Sequence, residues 1–127
     1  MTTKLQPTTT FRAVLGQVFE VRRSALKLSQ KDFSDAIGAS QSAWSRVENG
    51  QSSLTVEEFV LVCNALRLRT ADALQRVDQS INYLRKRGVN VVTRPGKEGK
   101  PNDESAAWLS AAALGALLVA IISTAKK

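Results

Sequence analysis

Gln41, Ser42, Ser45 and Arg46 fall within six residues of one another, interrupted only by Ala43 and Trp44. At helical spacing these four polar side chains lie opposite Trp44 and Val47, so apolar packing of the latter turns them outward. Their chemistry is that of recognition. A glutamine amide donates and accepts in one plane and matches the N6/N7 edge of adenine, whereas an arginine fork matches guanine O6 and N7. Ser45 suits base or phosphate, and Lys31, Gln51, Ser52 and Ser53 suit a phosphate backbone, which positions without specifying. Bond-making chemistry finds no comparable constellation. The chain has no histidine and a single cysteine, Cys63, so neither an intrachain disulfide nor a Cys/His zinc site can be assembled. Its acids are scattered, and the glycines and lysines of 94–100 do not match a nucleotide loop. No catalytic site, metal, cofactor or small-molecule ligand is expected, and an enzyme is the class least compatible with these residues.

The formal charge of +7 over 127 residues suits a polyanionic partner, because lysine and arginine displace condensed counterions from phosphate. Sign alone does not choose between nucleic acid and anionic lipid. Residues 1–10 are polar, rich in threonine and without the apolar core of a signal peptide, and they read as a flexible N-terminus.

Five helical patterns precede Gly88. The first covers about Phe11 to Lys27, with Val14, Leu15, Val18, Val21 and Leu26 on one side. Ser29 caps a short second helix carrying Phe33 and Ile37, and Gly38 ends it. Ser40 opens the third helix, which turns Trp44 and Val47 inward and closes at Asn49-Gly50. Thr55 with Glu58 forms a capping box for a fourth, whose expected buried stripe is Val56, Phe59, Val60, Cys63 and Leu66. The fifth begins near Thr70. Two short helices joined through Gly38-Ala39-Ser40 cross steeply and leave the second projecting from the surface.

The run Ser29-Gln30, followed by Gly38-Ala39-Ser40-Gln41-Ser42-Ala43-Trp44-Ser45-Arg46-Val47-Glu48-Asn49-Gly50, resembles the phage repressor and Cro type of helix-turn-helix, the XRE family. The resemblance covers about Phe11 to Gln79. It implies an all-α, five-helix repressor-like domain over 11–87 that binds double-stranded DNA and regulates transcription. It further implies that Gln30 anchors on a phosphate and helps orient the third helix, and that Ser40, Gln41, Ser42 and Arg46 sit at or near the major groove. Glu48 would be repelled by DNA; by resemblance it pairs with Arg23 of the first helix as a structural contact. Two departures stand out. Ser34 replaces the usual alanine, and Trp44 the usual isoleucine.

Leu74, Val77, Ile81 and Leu84 recur at an average of 3.5 residues, the period of a seam made for another helix. The stripe packs either on the domain's own core or on a second chain; a homodimer is the expected arrangement, since two-fold DNA readers match two half-sites. A short strand is possible at 89–92, within a proline- and glycine-containing linker spanning 88–104. Residues 105–125 are uncharged, with Trp108 near one end, and 21 residues of helix span roughly 30 Å, a bilayer's hydrocarbon thickness. Ala111 and Gly115 form a small-xxx-small pair. The segment is expected to be a single hydrophobic transmembrane helix; the alternative is a buried oligomerisation helix or an apolar tail docked on a partner protein. The basic residues before it place the DNA-binding part in the cytoplasm and the protein at the inner membrane; a cytoplasmic protein is the alternative. Competing readings of function are a DNA–membrane tether and an antitoxin-like interaction protein.

Overall fold

The computed structural model describes residues 5–93 and 106–124. Chain order is β1 (Gln6–Thr10), α1 (Phe11–Ala25), α2 (Gln30–Ile37), α3 (Gln41–Glu48), α4 (Val56–Ala65), α5 (Thr70–Lys86), β2 (Asn90–Val92), β3 (Ala106–Trp108) and α6 (Ala111–Thr124). Helix starts follow from local hydrogen bonds that satisfy otherwise orphaned N–H groups. Hydroxyls of Thr10, Ser29, Ser40 and Thr55 accept from the backbone three residues on, and Glu58 returns a bond to Thr55 N–H at 2.8 Å.

The turns after α1 and α4 share one design. Each ends in a left-handed residue, Lys27 at φ 64° and Arg67 at φ 53°, with the following leucine N–H bonded back to Arg23 O or Cys63 O. Neither residue is glycine, and L side chains are strained in this region. Lys27→Gly is therefore expected to stabilise the fold by about 0.5 kcal/mol, strain relief exceeding glycine's greater entropy loss. A thermal melt showing a small rise in Tm checks this.

Two apolar clusters meet along α1. The one beneath α2 and α3 joins Phe19, Phe33, Trp44, Val62, Cys63 and Leu66. Burial pushes the Cys63 thiol up to about 11, so it stays protonated and serves as a small apolar filler. On α4 and its C-cap the buried residues are Val62, Cys63 and Leu66; Val56 and Val60, expected inside, are 76% and 40% exposed. The expected stripe holds at Cys63 and Leu66, with Phe59 partly buried against the same cluster, and fails at Val56 and Val60.

The second cluster bears on two expectations, the dimer seam and the membrane span. Val77, Ile81 and Leu84 of the anticipated dimer seam are buried in the chain's own core with Val14 and Val18; only Leu74 remains exposed. What covers that stripe, besides α1, is α6, whose Leu114 and Leu118 are fully buried in the same cluster. The expected membrane span over 105–125 is thus replaced by a strand and a 14-residue helix docked on the core. Among the described residues no helix is long and apolar enough to cross a membrane. Gly115 lies against Gln17 of α1: a Cβ there would fall 2.8 Å from Gln17 Oε1, and Gln17 Nε2 donates to Ala111 O at 3.3 Å. The small pair brings two helices together within one chain.

Nor is the fold purely helical. β1 is the middle of a three-stranded sheet of order β2-β1-β3, parallel on both sides, with Thr8 opposite Asn90 and Gln6 opposite Ala106. Thr8, Thr9 and Thr10 are buried, so the segment expected to be a flexible N-terminus is an ordered central strand over Gln6–Thr10. Residues 90–92, assigned to the linker, form its neighbour. Residues 94–104 of that linker, with Arg94, Lys97 and Lys100 among the basic residues before the expected span, lie outside the described residues.

Candidate nucleic-acid interface

The geometry of the pair α2–α3 starts at Gly38. Its φ of +75° turns the chain sharply, and Ala39 N–H closes the turn on Ser34 O at 2.9 Å. Phe33 and Ser34 are buried beneath it, and the Ser34 hydroxyl donates to Lys31 O at 2.9 Å, so the unusual serine leaves no orphaned polar group. On α3, Trp44 and Glu48 are the buried positions. Gln41, Ser42 and Arg46 are exposed and Ser45 is half-buried, so one face of the helix presents an amide, a guanidinium and hydroxyls to solvent.

The flanking residues divide. Ser40 is exposed, but its hydroxyl already caps α3 through Ala43 N–H, 3.1 Å away. Lys31 pairs with Asp35 one turn on at 3.2 Å, a solvent-exposed contact easily exchanged for another anion. Gln51 is exposed and Ser52 half-buried just beyond α3, where Gln51 N–H bonds Arg46 O at 2.8 Å.

Holding this face in place is a single carboxylate. Glu48, 1% exposed, accepts Arg23 Nε and Nη2 at 2.6 and 3.0 Å, Gln30 Nε2 at 2.9 Å and Trp44 Nε1 at 2.6 Å. Arg23 and Glu48 meet as sequence resemblance implied. Gln30, read there chiefly as a phosphate anchor, spends one amide N–H on Glu48 and so ties the first turn of α2 to the last turn of α3. Arg23 Nη1 also donates to Leu28 O at 2.7 Å, which adds the α1–α2 turn to the network. The bond to Glu48 holds the guanidinium above its ordinary range, against the opposing effect of burial.

Glu20, half-buried one turn before Arg23, carries an uncompensated cost. Burial first, then repulsion from Glu48, raises its carboxyl pKa, with Arg23 offsetting only part. A raised folded-state pKa means a contribution to stability that is complete below the unfolded carboxylate value and lost as pH climbs through the folded one. Glu20→Gln should therefore raise Tm at neutral pH, with the gain shrinking as both proteins are melted at pH values down to about 4. A gain independent of pH would contradict the assignment.

Sequence reading missed how closely α1 approaches the end of α3. Gly16 lies against that backbone: a Cβ would fall 2.5 Å from Val47 O and 2.6 Å from Glu48 O. Gly50, at φ +77°, sits on Ala13, and Arg12 Nε donates to Gly50 O at 3.0 Å. A glycine in the middle of an apolar helical pattern was the available signal, since such a residue commonly marks a close backbone approach.

With this geometry in view, the class of protein is a helix-turn-helix protein. Residues 14–77 match the model of the helix-turn-helix domain family, half of the chain, and the chain belongs to that family. It is similar in structure to the clp gene regulator ClgR from C. glutamicum in two crystal structures. One is 25% identical with a TM-score of 0.54, over 56% of this chain and 92% of that one. The other is 23% identical with a TM-score of 0.59, over 61% and 82%, and shows the fold alone. No curated protein matches the chain.

Proposed function

We propose that this chain is a sequence-specific DNA-binding transcriptional regulator whose α3 enters the major groove and reads base edges with Gln41 and Arg46. The observation that carries the proposal is the division of α3: Gln41, Ser42 and Arg46 exposed with Ser45 half-buried beside them, Trp44 and Glu48 locked inside. Lys31, Gln51 and Ser52 contact the backbone at the rim, and Ser42 and Ser45 complete the groove face. The similarity to a gene regulator at 25% identity supports the same class.

Selection of bound duplexes from a random library by the full chain tests the reading. A defined motif is expected. Arg46→Ala should weaken binding to that motif by about tenfold or more and relax preference at one position, since a bidentate contact is worth about 1–3 kcal/mol of discrimination. Gln41→Ala should relax a different position. Binding that shows no motif, or that is indifferent to both changes, would end the proposal.

Two copies on a two-fold site form the second part of the proposal, following the general geometry of helix-turn-helix readers. The α5 stripe is not the surface for it, because α6 already covers Val77, Ile81 and Leu84. Val56, Val60, Leu61 and Leu74 are the large apolar residues of α4 and α5 left exposed. A selected motif with half-sites about one helical turn apart supports pairing; a lone half-site bound by one chain refutes it. Membrane anchoring is no part of the proposal, since it requires Leu114 and Leu118 to leave the core.

A further inference from the structure

Trp44 touches all three helices that set the recognition surface. Its ring lies against Phe33 of α2, with centroids 4.7 Å apart, and near Phe19 of α1 at 5.9 Å. Its indole N–H donates to Glu48 Oε2 at 2.6 Å, the oxygen that also accepts Arg23 Nε. Glu48 stands one turn later on the same helix. The carboxylate reaches α1 through Arg23 and α2 through Gln30, and the indole is its one donor from α3 itself.

We infer that Trp44 is a positioning residue for base reading: through its N–H to Glu48 it fixes the rotation of α3 about its axis and so aims Gln41 and Arg46. The inference rests on the base-reading role proposed above for that helix.

The physical reason is angular. Without a donor from its own helix, the carboxylate stays held by Arg23 and Gln30 while the α3 backbone turns about the Glu48 side-chain bonds, so the helix can roll. A roll of about 10° displaces a side-chain tip roughly 8 Å from the helix axis by more than 1 Å. That shift degrades hydrogen bonds whose useful distance range is only about half an ångström wide. An aliphatic side chain at this position fills part of the space and supplies no donor. The indole supplies both wedge and bond, and with Trp44 only 2% exposed the bond lies in a low-dielectric setting that strengthens it.

The test uses the full chain carrying Trp108→Phe, which leaves Trp44 as the single indole. Nuclear magnetic resonance should show its N–H proton shifted downfield and protected from exchange, and Glu48→Gln should move it. Trp44 is then replaced by phenylalanine, or by benzothienylalanine, which keeps the indole's shape and lacks the N–H. Either protein should bind its selected duplex about tenfold more weakly, the scale of one hydrogen bond to a charged group, while binding to a scrambled duplex stays within about twofold. A loss of packing alone would not separate those two affinities in the isosteric variant. Wild-type discrimination by the benzothienylalanine protein, or an indole proton indifferent to Glu48→Gln, overturns the inference. A parent chain without any sequence preference would instead sink the base-reading function, and this role along with it.

Discussion

Glu48→Ala is expected to lower stability by about 3–5 kcal/mol and to abolish specific DNA binding, because breaking a buried ion pair strands the remaining charge. Here the damage extends beyond one partner. Arg23 Nε and Nη2, Gln30 Nε2 and Trp44 Nε1 all lose their acceptor in a site where Glu48 is 1% exposed. Arg23 retains only Leu28 O. For a chain of this size the loss corresponds to a fall in Tm of roughly 10–20 °C.

Two controls sharpen the expectation. Arg46→Ala removes an exposed side chain from the same helix, so its Tm should stay near that of the parent while binding to the selected motif weakens by about tenfold or more. Equal melting temperatures for the two variants would contradict the division between holding and reading. Replacing both members of the pair, Arg23→Met with Glu48→Leu, should recover part of the stability, since apolar isosteres can substitute for a buried pair. Recovery should stay incomplete because the Trp44 N–H has no acceptor in that protein, and DNA recognition should not return.

Gly16→Ala is the second large effect, and its sign is diagnostic. Helix propensity alone favours alanine over glycine in a helix interior by roughly 0.5–1 kcal/mol, which predicts stabilisation of α1. The packing predicts the reverse. The new methyl would meet Val47 O at 2.5 Å, Glu48 O at 2.6 Å and Glu48 C at 2.9 Å, all of them backbone atoms that cannot swing aside as a side chain could. Relief requires α3 to move away from α1, which stretches the Arg23–Glu48 contact and opens the cluster beneath Trp44. We expect a loss of about 2–4 kcal/mol, overpacking and network strain together, with weakened specific binding. A thermal melt showing unchanged or increased stability would mean that the two backbones do not approach as described. Ser24→Ala, exposed near the end of the same helix, is the matched control and should shift Tm little.

These two variants also mark where information resides. Several features were legible in the order of residues because their physics is local. Ser29 with Asp32 N–H, Ser40 with Ala43 N–H and the reciprocal Thr55–Glu58 bonds are made within one turn, so the starts of α2, α3 and α4 follow from short segments alone. Gly38 marks the sharp turn for the same reason. The outward face of α3 was equally legible, because an eight-residue helix with Trp44 inside has few ways to place Gln41 and Arg46.

Tertiary structure decided what covers what. Periodicity identified Val77, Ile81 and Leu84 as a face to be buried, yet apolar burial is non-directional and does not name its partner; here the partner is α6 of the same chain. The same ambiguity made 105–125 look like a membrane helix, since an apolar segment suits a protein core as readily as a bilayer. β1 was invisible for a different reason. Its threonines show no apolar alternation, and its pairing with residues 90–92 and 106–108 joins segments some eighty to a hundred positions away, information that no local window contains. Likewise the fourfold coordination of Glu48 depends on three helices arriving together, and only the assembled fold brings their donors within reach of one carboxylate.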